Sequence, residues 1–205
     1  MDKRLVAIDL TWVRHNKVGG TESCMRNLLD GFTQVQTNGI CFVLLLTKDN
    51  AESFNEYAKY DCFKVIVCDV CSASQKKRVL FQNLKMGRVL RKNKIGLCLE
   101  PIYGKPFLGT RGVKYITTIH DLQALHYPQY FSRGRVAWMR LSWLNAVKTS
   151  AAVITISQYV RDDILHNYKV DENKIHVIYD AVKLEKENCT DAEGIRKYGV
   201  DVGAY

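Results

Sequence analysis

Short, nearly continuous apolar runs alternate with segments of helical period almost from end to end of the chain, and few folds accept that alternation. The strand-like runs are Arg4–Leu10, Ile40–Thr47, Phe63–Asp69, Ile95–Glu100, Val113–Ile119, Ala151–Ile156 and Lys174–Ile178. Between them lie helical patterns. Met25, Leu28, Leu29 and Phe32 mark one over Thr21–Gln34, and a short one covers Ala51–Lys59. A long one runs from about Ala73 to Asn93, with Val79, Met86 and Leu90 at helical spacing and Leu80 and Leu84 beside them. Val136, Met139, Trp143 and Val147 share a face within Arg135–Thr149, and Gln158–Tyr168 is the last helix. Strand and helix in turn make βαβ units, which wind right-handed into a mostly parallel sheet with helices on both faces. Strands so rich in Val, Ile and Leu suit a sheet buried on both sides. The pattern holds over residues 1–182 as one α/β domain, and then breaks: Lys183–Glu193 is polar, and Tyr198–Tyr205 reads as the start of something further.

Composition removes several other classes. At 205 residues, 47% hydrophobic and 25% charged, the chain is neither disordered nor collagen-like. Its longest apolar run, Ile40 to Leu46, falls far short of the roughly 20 residues of a membrane span. Met1-Asp2-Lys3-Arg4 leads straight into a strand, which does not resemble a signal peptide, so the expected location is the cytoplasm. Seven cysteines, an odd number with Cys41 and Cys98 inside strand-like runs, look like buried hydrophobes in a reducing compartment. Cys68-Asp69-Val70-Cys71 is a lone CxxC without a second pair or histidines at ligand spacing, so no metal is expected.

The net charge of +9 is concentrated. Gln75 to Lys114 holds eleven Lys or Arg against Glu100 alone, a segment charge of +10 that leaves −1 for the remainder. Within the long helix, Arg78, Phe81, Lys85, Arg88 and Lys92 fall at i, i+3, i+7, i+10 and i+14 and predict a basic stripe with an exposed phenylalanine. Such a stripe suits anionic lipid headgroups. It also suits the phosphates of nucleic acid, but no zinc finger, RNP sequence or KH loop accompanies it, so nucleic acid is disfavoured. A plain solvated helix face is the alternative.

Ligands of an open parallel sheet bind beyond the carboxyl ends of its strands, and three such ends stand out. Val18-Gly19-Gly20-Thr21-Glu22-Ser23 opens the first helix. Its paired glycines admit a close approach to the free N–H groups of a helix N-terminus, which favour a phosphate. It is neither GxGxxG nor a P-loop, which disfavours a dinucleotide cofactor or ATP; the bland alternative is a glycine turn with Thr21 as N-cap. His120 leaves a buried strand, with Asp121 placed either to hold its ring or to cap the local backbone. Ser157 stands at the end of a strand as a helix cap, and Arg161 either serves the surface or points into a cleft.

In order and spacing these segments resemble the N-terminal domain of the family 4 glycosyltransferases. The resemblance rests on Val18-Gly19-Gly20, on Thr117 to Leu122, on Tyr127-Pro128-Gln129-Tyr130-Phe131, on Ala151 to Asp163, on Tyr168-Lys169-Val170 and on Lys174 to Val182. It implies a Rossmann-like, mostly parallel sheet that is one half of a GT-B fold. It implies transfer of a sugar from a nucleotide-sugar donor to a glycan or lipid-linked acceptor, with retained configuration and no obligatory metal or cofactor, in cell-surface polysaccharide synthesis. Residues 1–182 would be the acceptor side. Residues 183–205 would lead into a donor-binding domain, with its paired glutamates, that the sequence lacks, so a C-terminal domain or partner chain is expected to complete the enzyme. Asp180-Ala181 stands where family members carry Asn-Gly.

By the same resemblance, Gly19, Gly20 and Thr21 lie near the donor phosphates, with Ser157 and Arg161 as further phosphate- or substrate-binding candidates, Arg161 facing the interdomain cleft, and His120 with Asp121 near the transferred sugar. Glycosyl transfer builds positive charge at the anomeric carbon and negative charge on the leaving phosphate, which helix-end amides stabilise. His120 is expected to hold a sugar hydroxyl or shape the acceptor pocket, not to act as general base. The Arg78–Lys92 stripe would dock at the inner face of a membrane. The chain alone is expected to show little or no transferase activity.

Overall fold

A computed structural model describes residues 3–180 apart from 16 and 18; the expected linker, 183–205, lies outside the described residues. Seven strands form one parallel sheet: β1 (Arg4–Asp9), β2 (Ile40–Thr47), β3 (Phe63–Cys68), β4 (Leu97–Glu100), β5 (Lys114–Ile119), β6 (Ala152–Thr155) and β7 (Ile175–Val177). Their spatial order is β3-β2-β1-β4-β5-β6-β7, with every neighbouring pair parallel. The chain winds outward from β1 to β3, returns across the sheet, and winds outward again from β4 to β7. The reversal leaves a crevice between the carboxyl ends of β1 and β4.

Side chains alternate between two cores, as the pleat requires. Ile8, Phe42, Leu44 and Leu46 face α1 (Gly20–Gln34), through Met25 and Leu29, and the 3-10 helix Ala51–Lys59, through Phe54 and Tyr57. Ala7, Val43, Leu45 and Cys98 face the opposite layer, against Phe81, Met86 and Leu90. A third cluster joins β5 to β7 to α5 (Arg133–Thr149) and α6 (Gln158–Asn167) around the fully buried Trp143. The expectation of strands buried on both sides fails at β3, where Val65 and Val67 are exposed. β3 is an edge strand, with a neighbour on one side only. Cys41, Cys68 and Cys98 are buried free thiols. No helix among the described residues is long and apolar enough to cross a membrane.

The helix expected over Ala73–Asn93 is broken into three. It runs as α2 (Gln75–Phe81), a π-helical turn (Gln82–Met86) and α3 (Gly87–Lys92). The extra residue in the π turn moves the inward face from Phe81 to Met86, five residues on, and then to Leu90, four residues on. This corrects the basic stripe. Phe81 is buried in the core, not exposed. Arg78, on the same face, turns inward and donates from Nη1 to the carbonyls of Ser72 (2.6 Å) and Trp12 (3.3 Å). Lys85, Arg88 and Lys92 remain exposed. Between β5 and α5 lies a short helix, α4 (Gln123–His126), fastened to α6 by His126 Nε2 and Asp163 Oδ2 at 2.7 Å.

Candidate functional site

Polar residues end the otherwise apolar β1 and β4, and the topology sets them side by side. Ile8 pairs with Leu99, so Asp9 and Glu100 leave adjacent strands together at the crevice. Both are buried. Asp9 is tightly held: Oδ1 accepts from the Thr11 amide (2.9 Å) and Oδ2 from Gln82 Nε2 (2.7 Å). Burial, and after it the charge of Asp9, holds the Glu100 carboxyl well above the usual carboxylate range. Glu100 therefore holds its proton more tightly than an exposed carboxyl does. Lys105, also buried, donates from Nζ to the Pro106 carbonyl and lies 5.1 Å from the Tyr115 ring centre. Burial pushes its ammonium down, with Glu100 opposing the shift.

Above this pair opens a cavity of about 510 Å³. Trp12, Tyr103, Trp138 and Trp143 give it aromatic walls, Glu100 and Gln82 line it, and Arg78, Lys105 and Arg135 supply positive charge. Trp12 is pinned by its indole N–H, which donates to the Asp9 carbonyl at 2.9 Å. The loop behind it is clasped by buried Asn50, whose Nδ2 reaches the Leu10 and Val13 carbonyls. The indole N–H of Trp143 is different: it is fully buried and has no partner among the described residues. A buried donor left unmade is costly, and here it belongs to a side chain that lines the cavity. Aromatic walls with a carboxyl and cations among them suit a polyhydroxylated ring.

Beside the cavity lies a second cluster. Gly19 caps α1 at φ +66°, a backbone that favours glycine, and a Cβ on Gly19 or Gly20 would meet nothing within 4 Å. The helix therefore starts at Gly20 and presents its first turn to open space. Thr21 sits within that turn and is not its N-cap. Val18 lies outside the described residues. Glu22 is buried and accepts from Arg26 Nη2 (2.9 Å), which fastens the first turn of α1 from below. Cys24, on the same turn, donates from Sγ to Asp180 Oδ1 at 3.0 Å. Burial, then Asp180, pushes its thiol up to about 12. The other Asp180 oxygen stands 4.0 Å from His120 Nδ1. Asp180 thus bridges the glycine turn and His120, although the sequence marked it only as a departure from a family pattern.

His120 Nε2 lies 3.0 Å from the Pro101 carbonyl, which can only accept. Its hydrogen is therefore on Nε2, and Nδ1 faces Asp180. Pro101 follows Glu100 directly, and the Tyr103 ring lies 5.8 Å from the His120 ring, so one short segment joins the two clusters. Asp121 does not hold the His120 ring. Its Oδ2 accepts from the Tyr103 hydroxyl (2.7 Å) and its Oδ1 from the Gln123 amide (2.9 Å), so it fixes Tyr103 and holds the local turn that leads into α4.

Ser157 caps α6, accepting from the Val160 amide at 3.2 Å. Arg161 lies near the start of α6. Its guanidinium pairs with Asp162 (3.3 Å) and with Glu172 (3.2 Å), in the turn that enters β7, the opposite end of that strand from Asp180. The structure links α1, through Cys24 and Asp180, to His120, and places Ser157 and Arg161 at the start of α6. It adds Asp9, Glu100, Trp143 and Asp180. Two of these had a signal, a carboxylate ending an apolar strand, but their adjacency depends on strand order.

Comparison with known proteins agrees with this architecture. Residues 18–186 match the pattern described as Glycosyltransferase Family 4. A stretch of 78 residues, 35% of this chain, is 37% identical to the O-antigen chain mannosyltransferase RfbU of Salmonella typhimurium, and covers 22% of that protein. Among solved structures, UDP-N-acetylglucosamine 2-epimerase of Rickettsia bellii superposes with a TM-score of 0.57 at 12% identity, over 88% of this chain and 45% of that one. The enzyme of the same name from Methanocaldococcus jannaschii gives 0.53 at 12% identity, over 86% and 45%. The chain spans less than half the length of these structures, and at such identity the likeness concerns the fold: a Rossmann-like domain, one half of a GT-B architecture. The family match extends over most of the chain and takes in the glycine turn, His120, Asp180 and every residue lining the switch-point cavity except Trp12, so the chain belongs to glycosyltransferase family 4.

Proposed function

We propose that the chain is the acceptor-side half of a glycosyltransferase that moves a sugar from a nucleotide-sugar donor to a glycan or lipid-linked acceptor with retention of configuration. It serves cell-surface polysaccharide synthesis at the cytoplasmic face of a membrane and needs no metal. The kinship with an O-antigen chain mannosyltransferase makes mannose the first sugar to test. The observation that carries the reading is the aromatic-walled cavity at the strand-order reversal, with Glu100 on its lining and the unpartnered Trp143 N–H beside it. The acceptor sugar stacks there, and its hydroxyls meet these two groups.

The crest cluster faces the donor. The amides of the first turn of α1, opened by Gly19 and Gly20, stabilise charge on the leaving phosphate. His120, with Nε2 fixed on Pro101, offers Nδ1 to a sugar hydroxyl. A donor-side domain, on a further segment or a separate chain, closes the crevice, and without it the turnover is negligible. The test is transfer from a panel of radiolabelled nucleotide sugars to membrane-borne glycan lipids, by the chain alone and joined to a donor-side domain. The expected result is little transfer alone, and transfer with retained anomeric configuration when joined. An inverted product, or brisk turnover by residues 1–205 alone, would contradict it.

A further inference from the structure

Arg78, Lys105 and Arg135 meet at the switch-point cavity. Among the described residues, no carboxylate stands within ion-pair distance of any of them. Arg135 is exposed, its guanidinium 5.4 Å from the Phe131 ring centre. Arg78 is half-buried and directs Nη1 to two neutral carbonyls. Lys105 is the extreme case. Only 9% of it is exposed, and its ammonium donates to a neutral acceptor, the Pro106 carbonyl, at 3.2 Å. Glu100 acts on Lys105 from beyond ion-pair distance and holds its proton tightly, while Asp9 is turned to the Thr11 amide and Gln82. A buried ammonium without a paired anion is costly.

The fold nevertheless holds Lys105 firmly in place. Its loop is fastened to α5 by Asn145, whose Nδ2 donates to the Lys105 carbonyl (3.2 Å), and to the π turn by Asn83, whose Oδ1 accepts from the Phe107 amide (2.8 Å). The loop lies so close to α5 that a Cβ on Gly104 would stand 3.3 Å from the Ser142 Cβ. These two clamps fix where the lysine stem enters the cavity. The other feature of the same space is aromatic: all three tryptophans of the chain line it. Indole walls take the apolar face of a sugar ring. Guanidinium forks and a desolvated ammonium take an oxyanion. In one cavity of about 510 Å³ the two features select a ligand that has both. A ring with hydroxyls alone would leave the cations without a counter-charge, and a ringless anion would leave the indoles bare.

We infer that the sugar taken by this cavity is an acidic one, with a carboxylate or a phosphate on the ring: its oxyanion meets Lys105, Arg78 and Arg135, and its ring lies against the indoles. The inference names the substrate class of the acceptor site and rests on the reading of the cavity as that site. A carboxylate on a ring carbon and a phosphate ester share the chemistry that these cations recognise, and separate titrations tell them apart.

The test is the tryptophan fluorescence of the full chain, because every indole lines the cavity. The titrants are methyl mannoside, methyl glucuronoside and mannose 1-phosphate, with acetate and inorganic phosphate as ringless anions. At least one acidic sugar should bind about tenfold or more tightly than the neutral mannoside. The tighter of the two tells carboxylate from phosphate. Lys105→Met and Arg135→Gln should each cut that preference severalfold. Arg135 is exposed, so the melting curve of Arg135→Gln should match the parent's, and this variant carries the test if Lys105→Met disturbs the loop. Equal binding of acidic and neutral sugars, or a preference that survives in both variants, would overturn the inference. So would ringless anions that bind as tightly as the acidic sugars, which would make the cavity an anion site. Mannoside binding without a preference for charge overturns this inference alone; no binding by any of the sugars overturns the acceptor reading with it.

Discussion

Glu100 is a residue whose chemistry departs from its type. In the unfolded chain its carboxyl ionises at the ordinary 4.5; in the fold, burial and Asp9 keep the proton on well above that. The folded state thus binds the additional proton. The group's contribution is fully present below pH 4.5, and stability is lost as pH rises beyond 4.5 toward the raised folded value. Glu100→Gln keeps a hydrogen-bond donor toward Asp9 and removes the ionisation of the unfolded state. Melting curves across pH should show the variant more stable than the parent at pH 7, with the two converging near pH 4. A variant less stable at every pH would mean that the carboxyl is ionised in the fold. At the same scale, Asp121 and Arg161 show how a polar residue at a strand or helix end serves the scaffold: each has partners within the chain.

Among the elements, the broken helix 75–92 matters most. Its π turn places Phe81 against the sheet, sends Gln82 to Asp9, hangs the 107–108 loop on Asn83 and exposes Leu84. Phe81→Ala should therefore cost about 3–5 kcal/mol in denaturant unfolding. A surface phenylalanine would cost within about 0.5 kcal/mol. The strands and most helices were legible in the sequence because their apolar periods are strong; Val136, Trp143 and Val147 are buried on one face of α5 as their spacing predicts. The π turn was not legible. Gln82 to Met86 contains no glycine or proline to announce it, and the residue it inserts is set by packing against the sheet and Asp9. A spacing of 3.6 carried through the turn therefore assigned Arg78 and Phe81 to the wrong side.

For the whole molecule, function follows from the order of the strands. Placing β1 beside β4 makes two carboxylates from residues 91 apart a buried pair, and Asp180, beyond β7, stands between His120 and Cys24 of α1. The alternation of elements could be read from the chain; the adjacency could not, because it depends on contacts between segments distant in sequence. The glycine turn and His120 were visible as strand-end features, whereas Asp9, Glu100, Trp143 and Asp180 became a site only through the topology. The account stands or falls on whether the cavity over that reversal holds a sugar. The chain has three tryptophans, and each gives an indole N–H signal in a proton–nitrogen correlation spectrum. Titration of the chain with soluble methyl glycosides, mannoside first, should move the Trp143 signal progressively and saturably, and Glu100→Ala should weaken that response. A Trp143 signal that stays fixed at saturating glycoside, with changes confined to residues outside the cavity, would contradict it.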